Sequence, residues 1–503
     1  MLLLIPILLP IIVGALLPVL RIKNRSSKLL LIFLTLAITA GTTFAAALSA
    51  PANASAQEAL SLTILSISEP LTIAFRLNSL GKIFAILNAV LWLLIGLYSF
   101  RYMIHEKNED RFFCFMLLAL GCTMALDFSA NLFTMYLAFE LITLTTFPLV
   151  LHNQQPEAIR ASLKYLFYSI AGAFLALFGL FLIASYSTGT SFVLGGVLNP
   201  AAMNAQKGLL LAGAFCCLVG FGAKCGLYPL HGWLPTAHPV APAPASALLS
   251  ALVVKAGVFC CIRSVYYLIG TDFVQGTWVQ TTWIILAMLT VFMGSMMAFR
   301  EKRLKKRLAY STVSQVSYIL LGLACFNADG ATGGLLHSVF HAIIKSGLFM
   351  IAGAIIFETG ATEVDELKGI GKKMPITILC WTILSLALIG IPPTSGFVSK
   401  WFLGTGAFAA NLGWLSYLVP AILLISALLT AGYLLPISIH GFLMPSEGGH
   451  GDHNHGKTAK ASKIVKCEPT WHMLIPIVLV SLAALLFGIF TEPLIAALSS
   501  VLM

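Results

Sequence analysis

The chain has 503 residues, of which 59% are hydrophobic and only 10% charged, whereas a soluble domain of this size carries roughly 25% charged residues. That balance excludes an ordinary soluble globular protein. The formal net charge of +11 sits in short loops between apolar runs, so it reads as membrane orientation and not as nucleic acid binding.

Apolar runs, each long enough to cross about 30 Å of hydrocarbon, fall near 2–20, 28–49, 79–104, 111–127, 129–151, 159–186, 207–230, 242–269, 278–299, 305–325, 331–357, 375–404, 416–443 and 470–499. They predict an all-α polytopic membrane protein of about fourteen transmembrane helices. The first run lacks a positive n-region and a cleavage site and is followed by Arg21, Lys23, Arg25 and Lys28, so it reads as a helix and not a signal peptide. The Ala/Ser-rich segment 50–78 predicts an external loop or hairpin. The basic loops Arg300–Arg307 and Lys457–Lys466 fall on the same face as the Arg21–Lys28 loop. That face is expected to be cytoplasmic, with both termini on the outer side of the cell (inner) membrane.

Five segments follow: N-terminal helices over 1–110, a first repeat over 111–270, a second over 271–443, a His/Lys-rich cytoplasmic loop over 444–469, and a last helix over 470–503. The tract containing His450, His453 and His455 could grip a metal but reads as a solvated loop. The ten cysteines include two adjacent pairs and no CxxC, so they read as small core residues. No Gly-rich nucleotide loop follows a strand. No cofactor or resident metal is expected.

A charged side chain at a helix centre costs roughly 2.5–3.5 kcal/mol on insertion scales, so each needs a partner, water or a function. Glu140 lies deep in the fifth run; the plain alternative is a carboxylate locked to one lysine. Lys224 stands among Gly220, Gly222, Gly226 and Pro229, which should break the seventh helix. Broken backbone at bilayer depth is tolerated only against protein or a water-filled cavity. His231 and His238 follow it. Lys255 sits in the eighth helix, where Ser246 and Ser250 could line a wet face. His337, His341 and Lys345 at i, i+4 and i+8 share one face over about 12 Å of rise. That spacing favours a relay over zinc, since the glutamate of HExxH is missing. Lys400 closes the set beside Gly390, Pro392, Pro393 and Gly396, a second broken span. Broken helices 7 and 12 lie an odd number of spans apart, as two inverted five-helix repeats require.

Burial draws lysine pKa down and carboxylate pKa up, and histidine titrates near neutrality unaided. The order Glu140, Lys224, Lys255, His337/His341/Lys345, Lys400 therefore reads as a midplane relay for protons or sodium ions.

The run from Lys224 to Gly257, together with Arg307–Tyr318, His337–Lys345 and Gly390-Ile-Pro-Pro, resembles the antiporter-like membrane subunits of respiratory complex I. The same family includes Mrp-type sodium/proton antiporters and energy-converting membrane-bound hydrogenases. The resemblance covers about residues 80–440 and maps the family's key glutamate to Glu140, its first-half lysines to Lys224 and Lys255, and its second-half group to His337, His341 and Lys345. Lys400 takes the terminal site. Thr236 and Asn78 stand where members often have aspartates. The resemblance implies an ion-translocating subunit of a complex I-like or hydrogenase-like oxidoreductase, with no catalytic cofactor site of its own, assembled with further antiporter-like subunits in the lipid bilayer. The alternatives are an Mrp-type antiporter subunit without redox chemistry and a passive scaffold or quinone-site subunit that anchors a redox arm.

Overall fold

The computed structural model describes residues 2–49, 60–68, 71–444 and 466–502; the histidine tract lies outside the described residues. Helices α1 (Ile5–Leu20), α2 (Arg25–Ser49), α3 (Ser79–Tyr102), α4 (Glu109–Asp127), α5 (Leu132–Val150) and α6 (Pro156–Ser185) open the bundle. Between α2 and α3 an antiparallel hairpin pairs β1 (Ser61–Ser68) with β2 (Leu71–Arg76). Asn78 and Asn131 cap α3 and α5, accepting from Gly81 N at 2.9 Å and Thr134 N at 2.8 Å. These side chains answer amides that a helix start leaves unpaired.

The seventh apolar run is broken. α7 (Lys207–Cys225) stops at Gly226, whose φ of +79° suits glycine, and the chain resumes as α8 (Leu234–Val240) after Pro229. The continuous stretch α9 (Ala243–Ile269) follows, then α10 (Trp278–Arg300), α11 (Leu304–Ala324) and α12 (Ala328–Thr359). The second broken span consists of α13 (Pro375–Ile389) and α14 (Ser395–Ala409), and α15 (Leu415–Leu443), α16 (Trp471–Ile489) and the short α17 (Glu492–Ser499) complete the fold. The final expected run therefore bends near Phe490.

Among the described residues, 10 helical stretches are long and apolar enough to span a bilayer. The expected fourteen take in α1, α4, α11 and the α13/α14 pair as well. Alternate connections meet at one end of the bundle. Arg25 pairs with Glu109 at 2.6 Å, Cys467 N donates to Lys373 O at 2.9 Å, and one 340 Å³ cleft joins Glu106, Asn153, Ala241, Arg303 and Glu363.

α9 and α12 are enclosed almost completely by other helices. Both carry titratable side chains that lipid would reject, so the innermost positions are where such helices can stand. α6 and α7 approach through small residues. A Cβ on Gly220 would lie 2.5 Å from Ala176 N, and one on Gly179 would lie 2.5 Å from Gly213 O.

Gly220→Val is therefore expected to destabilise the detergent-solubilised protein by about 1–3 kcal/mol, read as a lower midpoint in thermal unfolding. Gly41→Ala, where the space is open, should leave the midpoint unchanged or slightly raised.

Candidate functional site

The first buried cation stands where α7 ends. Lys224 Nζ donates to Thr143 Oγ1 on α5 at 2.9 Å, and to Tyr165 Oη at 2.6 Å and Ser169 Oγ at 3.4 Å on α6. It also lies 4.6 Å from the Tyr165 ring centroid. Tyr165 Oη continues to Thr146 Oγ1 at 2.6 Å. Glu140, one turn before Thr143 on α5, is half-buried and accepts from Tyr136 Oη at 2.8 Å. The described ion pairs include none between Glu140 and Lys224 within 4.0 Å. The direct carboxylate–lysine lock is absent, and hydroxyl groups hold the ammonium.

A second group is built around α12. The widened π turn Leu249–Val253 within α9 leaves the Ser250 carbonyl to accept from Lys255 Nζ at 2.9 Å. The same nitrogen lies 2.5 Å from His341 Nδ1. The His341 and His337 rings are 6.0 Å apart, one turn along α12. His337 Nδ1 meets Ser399 Oγ at 3.0 Å, and its ring stacks on Tyr318 at 5.3 Å. Lys400 Nζ stands 5.1 Å from the centroid of the same Tyr318 ring. It donates to the Leu388 and Ile389 carbonyls at 2.7 and 2.8 Å. Those carbonyls belong to the last turn of α13, which a helix leaves unpaired and electronegative. Gly390 is needed here twice over: its φ is +91°, and a Cβ would approach Lys400 Cδ to 2.9 Å.

Lys255, His341, His337, Ser399, Tyr318 and Lys400 thus form one contiguous group. Lys345 sits on the same helix and donates to Leu308 O at 3.0 Å. The Lys224 group is separate: α7 and α9 pack together, with Cys225 Sγ 3.7 Å from Val254 O, but no hydrogen bond joins Lys224 to Lys255 among the described contacts. The Nε2 atoms of His337 and His341 are buried with no protein partner.

His231 stacks on Tyr228 at 5.8 Å. His238 is fully buried against Phe349 at 4.7 Å, and neither ring nitrogen has a protein partner. Ser246 and Ser250 do not share a bonded face. Ser246 Oγ donates to His238 O at 3.0 Å, and Ser250 Oγ pairs with Thr312 Oγ1 at 2.7 Å. The π turn at Leu249 offsets the regular i, i+4 alignment between them. Asn78 accepts from Arg263 Nη2 at 2.9 Å, and Thr236 donates to Trp233 O at 2.8 Å, so both side chains serve local structure. No cluster of three metal-ligating side chains occurs among the described residues. Sequence reasoning does not find Thr143, Tyr165, Ser169, Tyr318 and Ser399; the spacing of Tyr165 and Ser169, one turn apart in an apolar span, is the available signal.

A family model described as NADH:quinone oxidoreductase/Mrp antiporter, TM, matches residues 129–430. NADH-quinone oxidoreductase subunit N of Desulforudis audaxviator is 33% identical over 393 residues, 78% of this chain and 76% of that protein. A Na(+)/H(+) antiporter subunit of Bacillus subtilis is 29% identical over 493 residues, 97% of this chain and 93% of that protein. A chain of the membrane-bound sulfane sulfur reductase, an archaeal respiratory membrane complex, superposes with a TM-score of 0.84 at 24% identity, covering 99% of this chain and 97% of that one.

Tyr165→Phe keeps the ring under Lys224 but removes the hydroxyl. A hydrogen bond to a charged group is worth about 1.5–3 kcal/mol, so ion uptake into proteoliposomes, followed with a pH-sensitive dye, should slow roughly tenfold or more.

Proposed function

Because this chain belongs to the NADH:quinone oxidoreductase/Mrp antiporter transmembrane family, we propose that it is the ion-translocating membrane subunit of a redox complex. It passes protons along its buried lysine and histidine side chains. The observation that carries this is the 2.5 Å approach of Lys255 Nζ to His341 Nδ1 inside the bundle. Two nitrogens at that distance share one proton: either Lys255 donates to a neutral imidazole, or a protonated imidazole faces a neutral amine. The proton's position at this pair can then respond to charge on Lys345 and Lys400.

The direction runs from Glu140 and Lys224 through Lys255 and the α12 histidines to Lys400, with water joining the two hydrogen-bonded groups. The free Nε2 atoms of His337 and His341 are suited to meet such water. Driving one charge against the membrane potential costs about 2.3 kcal/mol per 100 mV, which a redox arm carried by companion subunits supplies. The surrounding assembly contains further antiporter-like subunits. α4 to α9 and α10 to α15 form the two inverted repeats, supported by a lysine at each broken span. The bundle end carrying Arg25, Arg101 and Arg303 faces the cytoplasm, with both termini on the outer side of the cell (inner) membrane.

A second reading is a subunit of an Mrp-type antiporter that exchanges sodium for protons without redox chemistry. The near full-length match to the Bacillus subtilis antiporter protein favours it. The identity of the companion subunits, read by mass spectrometry of the copurified complex, separates the two.

Lys255→Ala in the assembled complex should cut ion translocation at least tenfold while subunit composition stays intact. Near-normal translocation in that variant would mean a scaffold role.

A further inference from the structure

At the bundle end that carries Arg25 and Arg303, an open trench of about 780 Å³ runs between α2, α3 and α16. Its walls are apolar: Leu29, Leu30 and Phe33 from α2, Leu97 from α3, and Ile475 from α16. Leu30 is 57% and Ile475 46% exposed. One end is polar, with positive charge from Arg25 and Arg101, the His472 ring beside them, and no aspartate or glutamate in the lining.

The cations differ in availability. Arg25 is committed, bonded to Glu109 Oε1 and to the Phe100 carbonyl, each at 2.6 Å. Arg101 is not. Its guanidinium lies 5.6 Å from the Phe357 ring centroid, its Nε is buried without an acceptor, and no ion pair within 4.0 Å engages it among the described residues. Thr470 Oγ1, at the start of α16, is likewise buried without a partner. Trp471, 61% exposed, stacks on His472 at 3.6 Å, the disposition of an aromatic residue at the headgroup level.

We propose that this trench is a binding site for an anionic glycerophospholipid. The phosphate meets Arg101 with support from His472, Thr470 and the amide end of α16, and an acyl chain lies against Leu30, Phe33 and Ile475. Three features select this occupant. The apolar walls, with Leu30 and Ile475 exposed, run along helices long and apolar enough to span a bilayer, as an acyl chain requires. The unpaired guanidinium is suited to bidentate contact with a phosphate. A zwitterionic headgroup would bring an ammonium to a lining that has no carboxylate to receive it. The assignment rests on the bilayer placement of the chain and not on ion translocation, so it stands or falls separately.

The test is native mass spectrometry of the protein in its purified complex, after incubation with equal amounts of phosphatidylglycerol and phosphatidylcholine. Wild type should retain phosphatidylglycerol preferentially. The double variant Arg101→Gln/His472→Gln should retain it at least fivefold less, with phosphatidylcholine unchanged. Leu30→Trp, which fills the trench without touching the charges, should also lower retention and covers the case in which the double variant does not assemble. Equal retention of the two lipids by wild type, unchanged retention in the variants, or a companion subunit filling the trench in the assembled complex would overturn the proposal.

Discussion

A buried lysine ammonium whose hydrogen bonds go to neutral acceptors is the arrangement on which this structure depends. Lys224 is held by hydroxyls, Lys255 by a carbonyl and an imidazole, Lys345 by a carbonyl, and Lys400 by two carbonyls beside an aromatic ring. A direct carboxylate partner would fix the proton on each lysine, and removing it would then strand a buried charge. Neutral acceptors stabilise the charged form less, and they lose less when the proton leaves. The rest of the architecture provides those acceptors. Two helices are broken at bilayer depth, and α9 is widened by a π turn that frees the Ser250 carbonyl. α9 and α12 lie inside the bundle, where lipid does not reach them.

The two broken spans use their lysines in opposite ways. Lys224 precedes its break and reaches outward to hydroxyls on neighbouring helices, whereas Lys400 follows its break and folds back on the carbonyl end of its own span. Near the first stands a carboxylate, Glu140 on α5. On α11, behind the second, stands Gln315, fully buried with neither side-chain atom partnered. The second half therefore carries an uncharged amide in its interior and adds histidines instead.

The charged members of the site are legible in the sequence because the cost of placing a charge in hydrocarbon does not depend on the fold. Glu140, Lys224, Lys255, His337, His341, Lys345 and Lys400 each stand out against an apolar run. The breaks are legible from Gly226, Pro229, Gly390 and Pro392. The partners are not. Tyr165 reaches Lys224 from a helix that begins far upstream, and Tyr318 joins His337 to Lys400 by ring contacts that no spacing encodes. Ser246 and Ser250 pass for one face because a π turn leaves no mark in the apolar pattern. The α6–α7 contact depends on glycines whose meaning appears only when the opposing backbone is in place.

Proton exchange among these side chains requires water inside the bundle. A cryo-electron microscopy map of the assembled complex, at a resolution that reveals ordered water, tests it most directly. Water is expected within hydrogen-bond distance of the Nε2 atoms of His337 and His341, and between the Lys224 and Lys255 groups. Apolar side chains sealing both positions, with no density for water, would contradict it.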